Sequence, residues 1–329
     1  MLYLESSSTD PHFNLALEQY VFDKMDPSQE YFMLWQNDNA IIVGKYQNTV
    51  SEINLDYVRS RGIRVVRRLS GGGAVYHDLG NLNFTFIVNG GKAGALDFNM
   101  FCGPVAQALQ KLGVNAQING RNDITIDGKK FSGNSQYIKN GRIMHHGTIL
   151  FDSDLDTVAN SLMVSADKIE SKGVASVRSR VTNVKEHLSA DISVREFKEL
   201  LLLYMFANQP IKRIELTESD ILCVREIQKQ RYDTWEWNFG ASPRYRIHKE
   251  RRVPNCGKIE LYMEVGNGKI TDLLFFGDFF GSGDVKDVAE AVIGCSVRED
   301  ELGSALSGID IGQYFNNLSR EQLVQIILQ

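Results

Sequence analysis

Residues 64–84, RVVRRLSGGGAVYHDLGNLNF, hold the densest chemistry in the chain. Arg64, Arg67 and Arg68 lead into Ser70 and three consecutive glycines, Gly71–Gly73. Three glycines in a row make a poor strand. They suit a place where main chain must approach a bound group, because N–H groups without Cβ atoms around them can line up on an anion. The two adjacent arginines supply charged, bidentate donors for a phosphate or a carboxylate. Neighbours on a strand face opposite ways, so one of Arg67 and Arg68 is expected to face a site, and Arg68 is nearer the glycines. The competing reading is a loop that only turns the chain, with its arginines in solvent. Neither familiar phosphate loop is present. A Walker sequence needs Gly-x-x-x-x-Gly-Lys followed by Ser or Thr. Here Gly91-Lys92 precedes Ala93, Gly128-Lys129 precedes Lys130, and both lack the upstream glycine. Contiguous glycines also fail the Gly-x-Gly-x-x-Gly pattern.

A second segment, GRNDITIDGKKFSGNSQ at 120–136, carries Lys129 and Lys130 just after a turn. One of them should point inward. Lys130 precedes Phe131-Ser132-Gly133-Asn134, small polar residues able to line a pocket. A lysine there could neutralise a phosphate or polarise a carbonyl; the alternative is a surface hairpin with solvated lysines. His145 and His146, adjacent on a strand, diverge too far to share one metal, and the chain has no HExxH and no Cys/His cluster. One of the pair is expected to pack behind the site with hydrogen bonds to backbone. His77-Asp78 lacks the Gly-x-Ser-x-Gly elbow of a hydrolase. Cys102, Cys223, Cys256 and Cys295 form no CxxC pair, and Cys102, on an apolar-rich helix, reads as a core thiol rather than a nucleophile. Arg178, Arg180 and Lys185 in SVRSRVTNVK make either a solvated basic face or a patch for an anion or an acidic partner.

The elements that must position these groups follow from periodicity. Residues 12–25 are helical after Asp10-Pro11. YFMLWQ and AIIVGKYQ are strands around Asn37-Asp38-Asn39, and 54–61 is helical. IRVVRRL, AVYH and NLNFTFIV are strands, the last alternating as a half-buried strand should. Residues 99–113 form an amphipathic helix ending at Gly113. ITID, KKFSGNSQYI and RIMHHGTILF follow, joined by Asp127-Gly128 and Asn140-Gly141, both hairpin signals. Residues 154–169 and 193–207 are helical. After the tryptophan-rich stretch near 240, KIELYMEV and KITDLLFFGDFF flank Gly266-Asn267-Gly268, and helices follow at 284–294 and 320–328. Strands joined by tight turns and mixed with helices predict an α+β class.

With 329 residues the chain should split into two domains, expected as 1–245 and 246–329. Apolar residues at 43% and charged residues at 23% are ordinary for a globular protein. A net charge of −5 argues against a general nucleic-acid binder. No run of 18 apolar residues predicts a membrane span. The N-terminus lacks a secretory pattern and the cysteines are scattered, as suits the reducing cytoplasm.

Taken together, RRLSGGGAVYHDLGN, GRNDI, KKFSGNS, HHGTILF, SVRSRVTN and WEWNFG resemble the lipoate–protein ligase family in their order and near its spacing. The resemblance covers nearly the whole chain and is weaker after residue 245. It implies a biotin/lipoate ligase catalytic domain, a mixed sheet with helices related to class II aminoacyl-tRNA synthetases, followed by a small α+β C-terminal domain. It also implies a two-step reaction: lipoate attacks the α-phosphate of ATP, with Mg²⁺, to give lipoyl-AMP, and a lysine of a lipoyl-domain protein then takes the lipoyl group. By resemblance Arg68 contacts phosphate, Gly72, Gly73, Ala74, Val75 and Tyr76 form the nucleotide strand, and Lys130 is the essential lysine contacting both substrates. Asn83 and Asp123 line the adenylate pocket, with Mg²⁺ near Asp123. The acceptors would be 2-oxoacid dehydrogenase E2 subunits or the glycine-cleavage H protein, docked by a basic rim at Arg178 and Arg180, with the enzyme acting as a cytoplasmic monomer. Joining two anions requires charge neutralisation, which Arg68 and Lys130 are suited to give. Tyr31, Phe32, Leu34 and Trp35 are candidates for an acyl tunnel, or for core. Two alternatives remain: an octanoyl or lipoyl transferase with a cysteine nucleophile, for which Cys102 is the one cysteine in the motif-bearing region, and a non-catalytic lipoate- or biotin-binding protein.

Overall fold

Asp10 opens the first long helix, Pro11–Asp23, for a local reason: its carboxylate accepts from the main-chain N–H of His12 at 3.1 Å, and Pro11 occupies the first helical turn. Ser193 and Glu196 close a reciprocal capping box on helix Val194–Met205. The computed structural model describes the chain except residues 46, 91–97, 121, 164–179, 207–210, 241–244, 278, 280–282 and 329. It divides into two units, one of residues 1–47 with 52–234 and one of residues 48–51 with 235–329.

The first unit is built on strands β1 (Leu2–Glu5), β2 (Tyr31–Trp35), β3 (Ala40–Val43), β4 (Arg64–Arg67), β5 (Val75–His77), β6 (Asn81–Asn89), β7 (Ala116–Asn119), β8 (Asp123–Ile126), β9 (Lys129–Lys139), β10 (Arg142–Leu150) and β11 (Lys212–Ile214). Eight of them form one mixed sheet in the order β11-β1-β2-β6-β10-β9-β8-β7. β1 runs parallel to β2 and β11, and the remaining pairs are antiparallel. The hairpins β8–β9 and β9–β10 turn on Asp127-Gly128 (φ 49° and 80°) and Asn140-Gly141 (φ 51° and 76°). Positive φ at both central residues is what a two-residue turn between twisted strands requires, and Asx-Gly supplies it. A second sheet, β4-β3-β5, carries the arginine–glycine segment between its outer strands.

β6 departs from its expected half-burial: every residue from Asn81 to Val88 is buried. It lies between β2 and β10, which pair both its edges, and its two faces are both packed against other elements. Leu82, Phe84, Phe86 and Val88 pack into a core with Phe101, Val105 and Leu109 of helix Asn99–Lys111. On the other face the Thr85 hydroxyl donates to Glu18 of the first helix at 2.6 Å. The alternation marks two different buried environments, one apolar and one polar. Phe32 and Leu34 belong to the apolar core, and Tyr31 is also buried.

The second unit is an antiparallel sheet of β12 (Tyr245–Val253), β13 (Gly257–Gly266) and β14 (Lys269–Gly277). Four helices, Val285–Val292, Glu299–Ala305, Ile311–Tyr314 and Arg320–Leu328, complete it. Ile259, Leu261, Ile270, Val288, Leu302, Phe315 and Ile327 form a core of its own. Its β13–β14 turn is again positive in φ, at Asn267 (51°) and Gly268 (75°). No described helix is long and apolar enough to cross a membrane.

Candidate functional site

The first unit holds a pocket of about 110 Å³. Arg68, Gly72, Gly73, Ala74 and Val75 form one wall, and Lys130, Gly133, Asn134 and Ser135 of β9 form another. His77, Asn83, His146, Gly147 and Thr148 add a polar lining, while Leu15, Trp35 and Ile42 add further apolar surface. The sheet explains the convergence. β6 and β10 are neighbours, and so are β10 and β9, so Asn83 lies opposite Thr148 and Gly147 opposite Asn134 across three strands.

The two arginines part ways as alternation dictates. Arg67 is fully buried, off the pocket, and its Nη1 donates to the carbonyls of Gly44, Lys45 and Gln47 at 2.9, 3.0 and 2.7 Å. Arg68 lines the pocket and braces the glycine loop. Its Nη2 donates to the carbonyls of Gly71 (2.6 Å) and Gly73 (2.8 Å), its Nη1 to Ile42 (3.0 Å), and its Nε to the Ser70 hydroxyl (3.1 Å). Burial lowers both guanidinium pKa values to about 10, so both stay cationic at neutral pH. Gly72 has φ 89°, where an L side chain is strained, and a Cβ on it would sit 3.1 Å from the Arg68 Nη2. Gly44 faces the same loop: a Cβ there would lie 2.0 Å from the Gly72 carbonyl oxygen.

Opposite, Lys130 Nζ pairs with Asp123 Oδ1 at 2.7 Å. Both side chains are more than a third exposed, at 39% and 37%, so the pair contributes little stability and the ammonium can exchange partners. Gly133 makes room for it, since a Cβ there would come within 2.9 Å of Nζ. The Lys130 carbonyl accepts from Thr182 N at 3.0 Å, which ties β9 to the segment carrying Val181.

Among the described residues the polar lining includes two donors without an acceptor. Asn37 uses Oδ1 to accept from Asn14, so its Nδ2 donates to His77 Nδ1 at 3.1 Å. That assigns the proton of the neutral ring to Nε2, a buried atom with no partner. Burial first, then the nearby charge of Arg68, pushes the His77 pKa down to about 3 and keeps the ring neutral. Asn83 accepts from Asn81 through Oδ1 at 2.9 Å, and its buried Nδ2 is likewise unpartnered. Buried donors left unpaired cost free energy. Both line the pocket, so an oxygen-rich ligand would satisfy them.

The histidine pair is bonded to side chains where backbone partners were expected. His146 contacts Glu18 and Ser70, and His145 contacts Gln136 and Asn134. The strand carbonyls are engaged in the β-ladder, so the rings meet side chains instead: Glu18 from the first helix and Ser70 from the glycine loop on His146, and Gln136 and Asn134 of β9 on His145. His145 also stacks on Phe101 at 4.6 Å, and burial lowers its pKa to about 3.

Of the residues singled out in the sequence, Arg68, Gly72, Gly73, Ala74, Val75, Asn83 and Lys130 share the pocket wall. Tyr76 is absent from it: flanked by Val75 and His77, it points the other way and donates to Asn39 Oδ1 at 3.1 Å. Asp123 touches the site through Lys130. Trp35 reaches the pocket, whereas Tyr31, Phe32 and Leu34 are core, so the expected tunnel wall of four shrinks to one. Cys102 is a fully buried core residue of helix Asn99–Lys111, away from the pocket lining. Arg180 is partly buried outside the lining, and Arg178 lies outside the described residues. Glu18 and Ser135 went unnoticed in the sequence. Glu18 had a signal: it sits three residues after Leu15 and three before Val21, on the apolar face of its helix, where a carboxylate needs a reason. Among the described residues no group of three or more His, Cys, Asp or Glu could hold a metal ion. Asp123 fits a Mg²⁺ only as one carboxylate supplementing the phosphates of a nucleotide.

Comparison with known proteins follows this geometry. Residues 10–206 match the model of the lipoyl protein ligase A/B catalytic domain, and residues 242–327 match that of the bacterial lipoate protein ligase C-terminus. The chain is 45% identical over 331 residues to the lipoate-protein ligase LplJ of Bacillus subtilis, covering 99% of this chain and 100% of that protein. Among solved structures it is similar to an archaeal bipartite lipoate protein ligase, from a lipoylation system of Thermoplasma acidophilum that includes an E2 lipoyl domain. There the TM-score is 0.64 and the identity 29%, over 73% of this chain and 96% of that one. It is also similar to a lipoate-protein ligase A bound with ATP, with a TM-score of 0.61 and 28% identity over 73% of this chain and 98% of that one.

Proposed function

The chain belongs to the lipoyl protein ligase A/B family, and from that premise we propose that it is an ATP-dependent lipoate–protein ligase acting on lipoyl-domain proteins. The observation that carries this reading is the meeting of Lys130 with the Arg68–glycine loop across one pocket. In the first step the lipoate carboxylate attacks the α-phosphorus of ATP, and pyrophosphate leaves. The barrier includes the repulsion of two anions. Lys130 is the cation free to leave Asp123 for the reacting carboxylate and phosphate, where its positive charge offsets the charge that builds up in the transition state. Arg68 contributes its charge from behind the loop while holding Gly71 and Gly73 in place. The unpaired donors Asn83 Nδ2 and His77 Nε2 favour ligand oxygens. Mg²⁺ would arrive with the nucleotide and screen its phosphates, with Asp123 as the protein carboxylate nearest Lys130. In the second step the acceptor lysine amine attacks the acyl carbonyl of lipoyl-AMP, forming the amide and expelling AMP.

E2 subunits of 2-oxoacid dehydrogenases and the glycine-cleavage H protein are the acceptor classes consistent with this reading. The burial of Cys102 disfavours a thiol-dependent transfer that bypasses ATP. The deciding experiment is incubation with ATP, Mg²⁺, lipoate and a lipoyl domain, followed by intact mass. The acceptor should gain one lipoyl group, and the gain should vanish without ATP. A gain that persists without ATP would overturn the proposal.

A further inference from the structure

Glu18 is a carboxylate buried to 1% exposure on the inward face of its helix, and the reaction just described does not use it. Its two oxygens lie 3.0 and 3.2 Å from His146 Nδ1. The carboxylate can only accept, so Nδ1 carries a proton, and in the neutral ring Nε2 is then an acceptor. Nε2 lies 2.5 Å from the Ser70 hydroxyl, so that hydroxyl donates to the ring. The Ser70 oxygen is thereby turned to receive the Nε–H of Arg68 at 3.1 Å. Arg68 in turn holds the carbonyls of Gly71 and Gly73. Each link fixes the direction of the next, from the first helix to the glycine loop. A second arm leaves Glu18 through the Thr85 hydroxyl (2.6 Å), which accepts from Trp35 Nε1 at 2.9 Å.

The order carboxylate, imidazole, hydroxyl is also that of a nucleophilic triad. Ser70 is unsuited to that role: it is buried to 1% exposure, does not line the pocket, and its oxygen is taken by Arg68. The geometry points instead to a positioning relay, in which Glu18, through His146 and Ser70, sets the orientation of Arg68 and hence of the loop that receives the nucleotide. Glu18 and Ser70 act through Arg68 and do not touch substrate.

The inference rests on the ATP-dependent reading, so its test uses lipoate-dependent ATP–pyrophosphate exchange, with wild-type exchange as the check on that reading alone. Glu18→Gln keeps the shape but places an amide donor against either the His146 or the Thr85 proton. Ser70→Ala removes the last link without touching Glu18. Each should raise the KM for ATP about tenfold, the scale of one lost oriented hydrogen bond, with the KM for lipoate within about twofold of wild type. Because both changes break one chain, the double variant should be no worse than the worse single variant. If Glu18→Gln does not fold, Ser70→Ala alone carries the same expectation. The relay is overturned if wild type exchanges normally and either variant keeps its ATP KM, if both KM values rise together, or if the double variant shows the product of the single effects. Absence of exchange in wild type would instead sink the ATP-dependent reading.

Discussion

At the scale of single residues, the proposed chemistry rests on one lysine given room by a glycine. Among the described residues Lys130 is held by an exposed pair with Asp123, and the space its ammonium occupies exists because Gly133 has no Cβ. A methyl at 133 would meet the end of a flexible side chain 2.9 Å away, and Lys130 can swing aside at little cost. Gly133→Ala should therefore leave thermal stability within about 0.5 kcal/mol of wild type, as for changes that avoid the core. It should lower lipoyl-AMP formation in the direction of Lys130→Ala, which removes the charge outright and should cost about 100-fold or more. Rates of lipoyl-AMP formation, read beside melting curves, check this. A Gly133→Ala enzyme with wild-type rate would show that the ammonium works from another position. From its own residues Lys130 was compatible with a pocket or with a surface hairpin, and the resemblance of KKFSGNS to the family singled it out. The role of Gly133 was not legible, because nothing local in KKFSGNS says whose side chain will cross over it.

At the scale of elements, the arginine–glycine loop joins β4 to β5 and leans on Gly44, just after β3. Gly72 needs its positive φ, and Gly44 must let the Gly72 carbonyl pass, whereas nothing lies within 4 Å of a Cβ on Gly73. Gly72→Ala should destabilise the first unit by about 1–2 kcal/mol from backbone strain, and Gly44→Ala by more, because the contact is with main chain. Gly73→Ala should leave stability near wild type. Denaturant titrations of the three variants test the order, and equal losses at Gly72 and Gly73 would refute it. The same locality explains what the sequence disclosed. Asp127-Gly128, Asn140-Gly141 and Asn267-Gly268 predicted hairpins that formed, since a two-residue turn is decided by its own φ values. Tyr31–Trp35 and Ala40–Val43 were recognisable as strands, but not that they enter different sheets, a choice made by partners far along the chain. Helix Glu218–Ile227 escaped notice for a different reason: it is mostly exposed and its sequence has little apolar periodicity. In β6 the alternation was visible and read as half-burial; Asn83 was placed in the pocket by resemblance, but nothing local showed that Thr85 faces the buried Glu18.

At the scale of the whole molecule, two separate cores predict two separable responses to acid. His77 and His145 lie in the first unit, both buried and both with pKa values lowered by burial to about 3 from an ordinary 6.5. The described histidine of the second unit, His248, is exposed. The direction of the effect follows from proton binding. Between about pH 6.5 and 3 the unfolded chain binds a proton at each of the two buried histidines and the folded unit does not, so folding is favoured above pH 6.5 and loses support as pH falls through that window. Each histidine contributes a slope of about 1.4 kcal/mol per pH unit there. Calorimetric scans at pH 7 and pH 5 should show one transition falling more steeply than the other. ATP identifies which it is, because a ligand raises only the transition of the unit that binds it, by about 2.7 kcal/mol at a concentration 100 times its Kd. The steep transition should be the one ATP raises, and replacing the stacked, non-lining His145 by Gln should flatten its slope by about half. Equal slopes for the two transitions, or an ATP shift on the shallow one, would contradict the assignment of the acid-sensitive core to the nucleotide-binding unit.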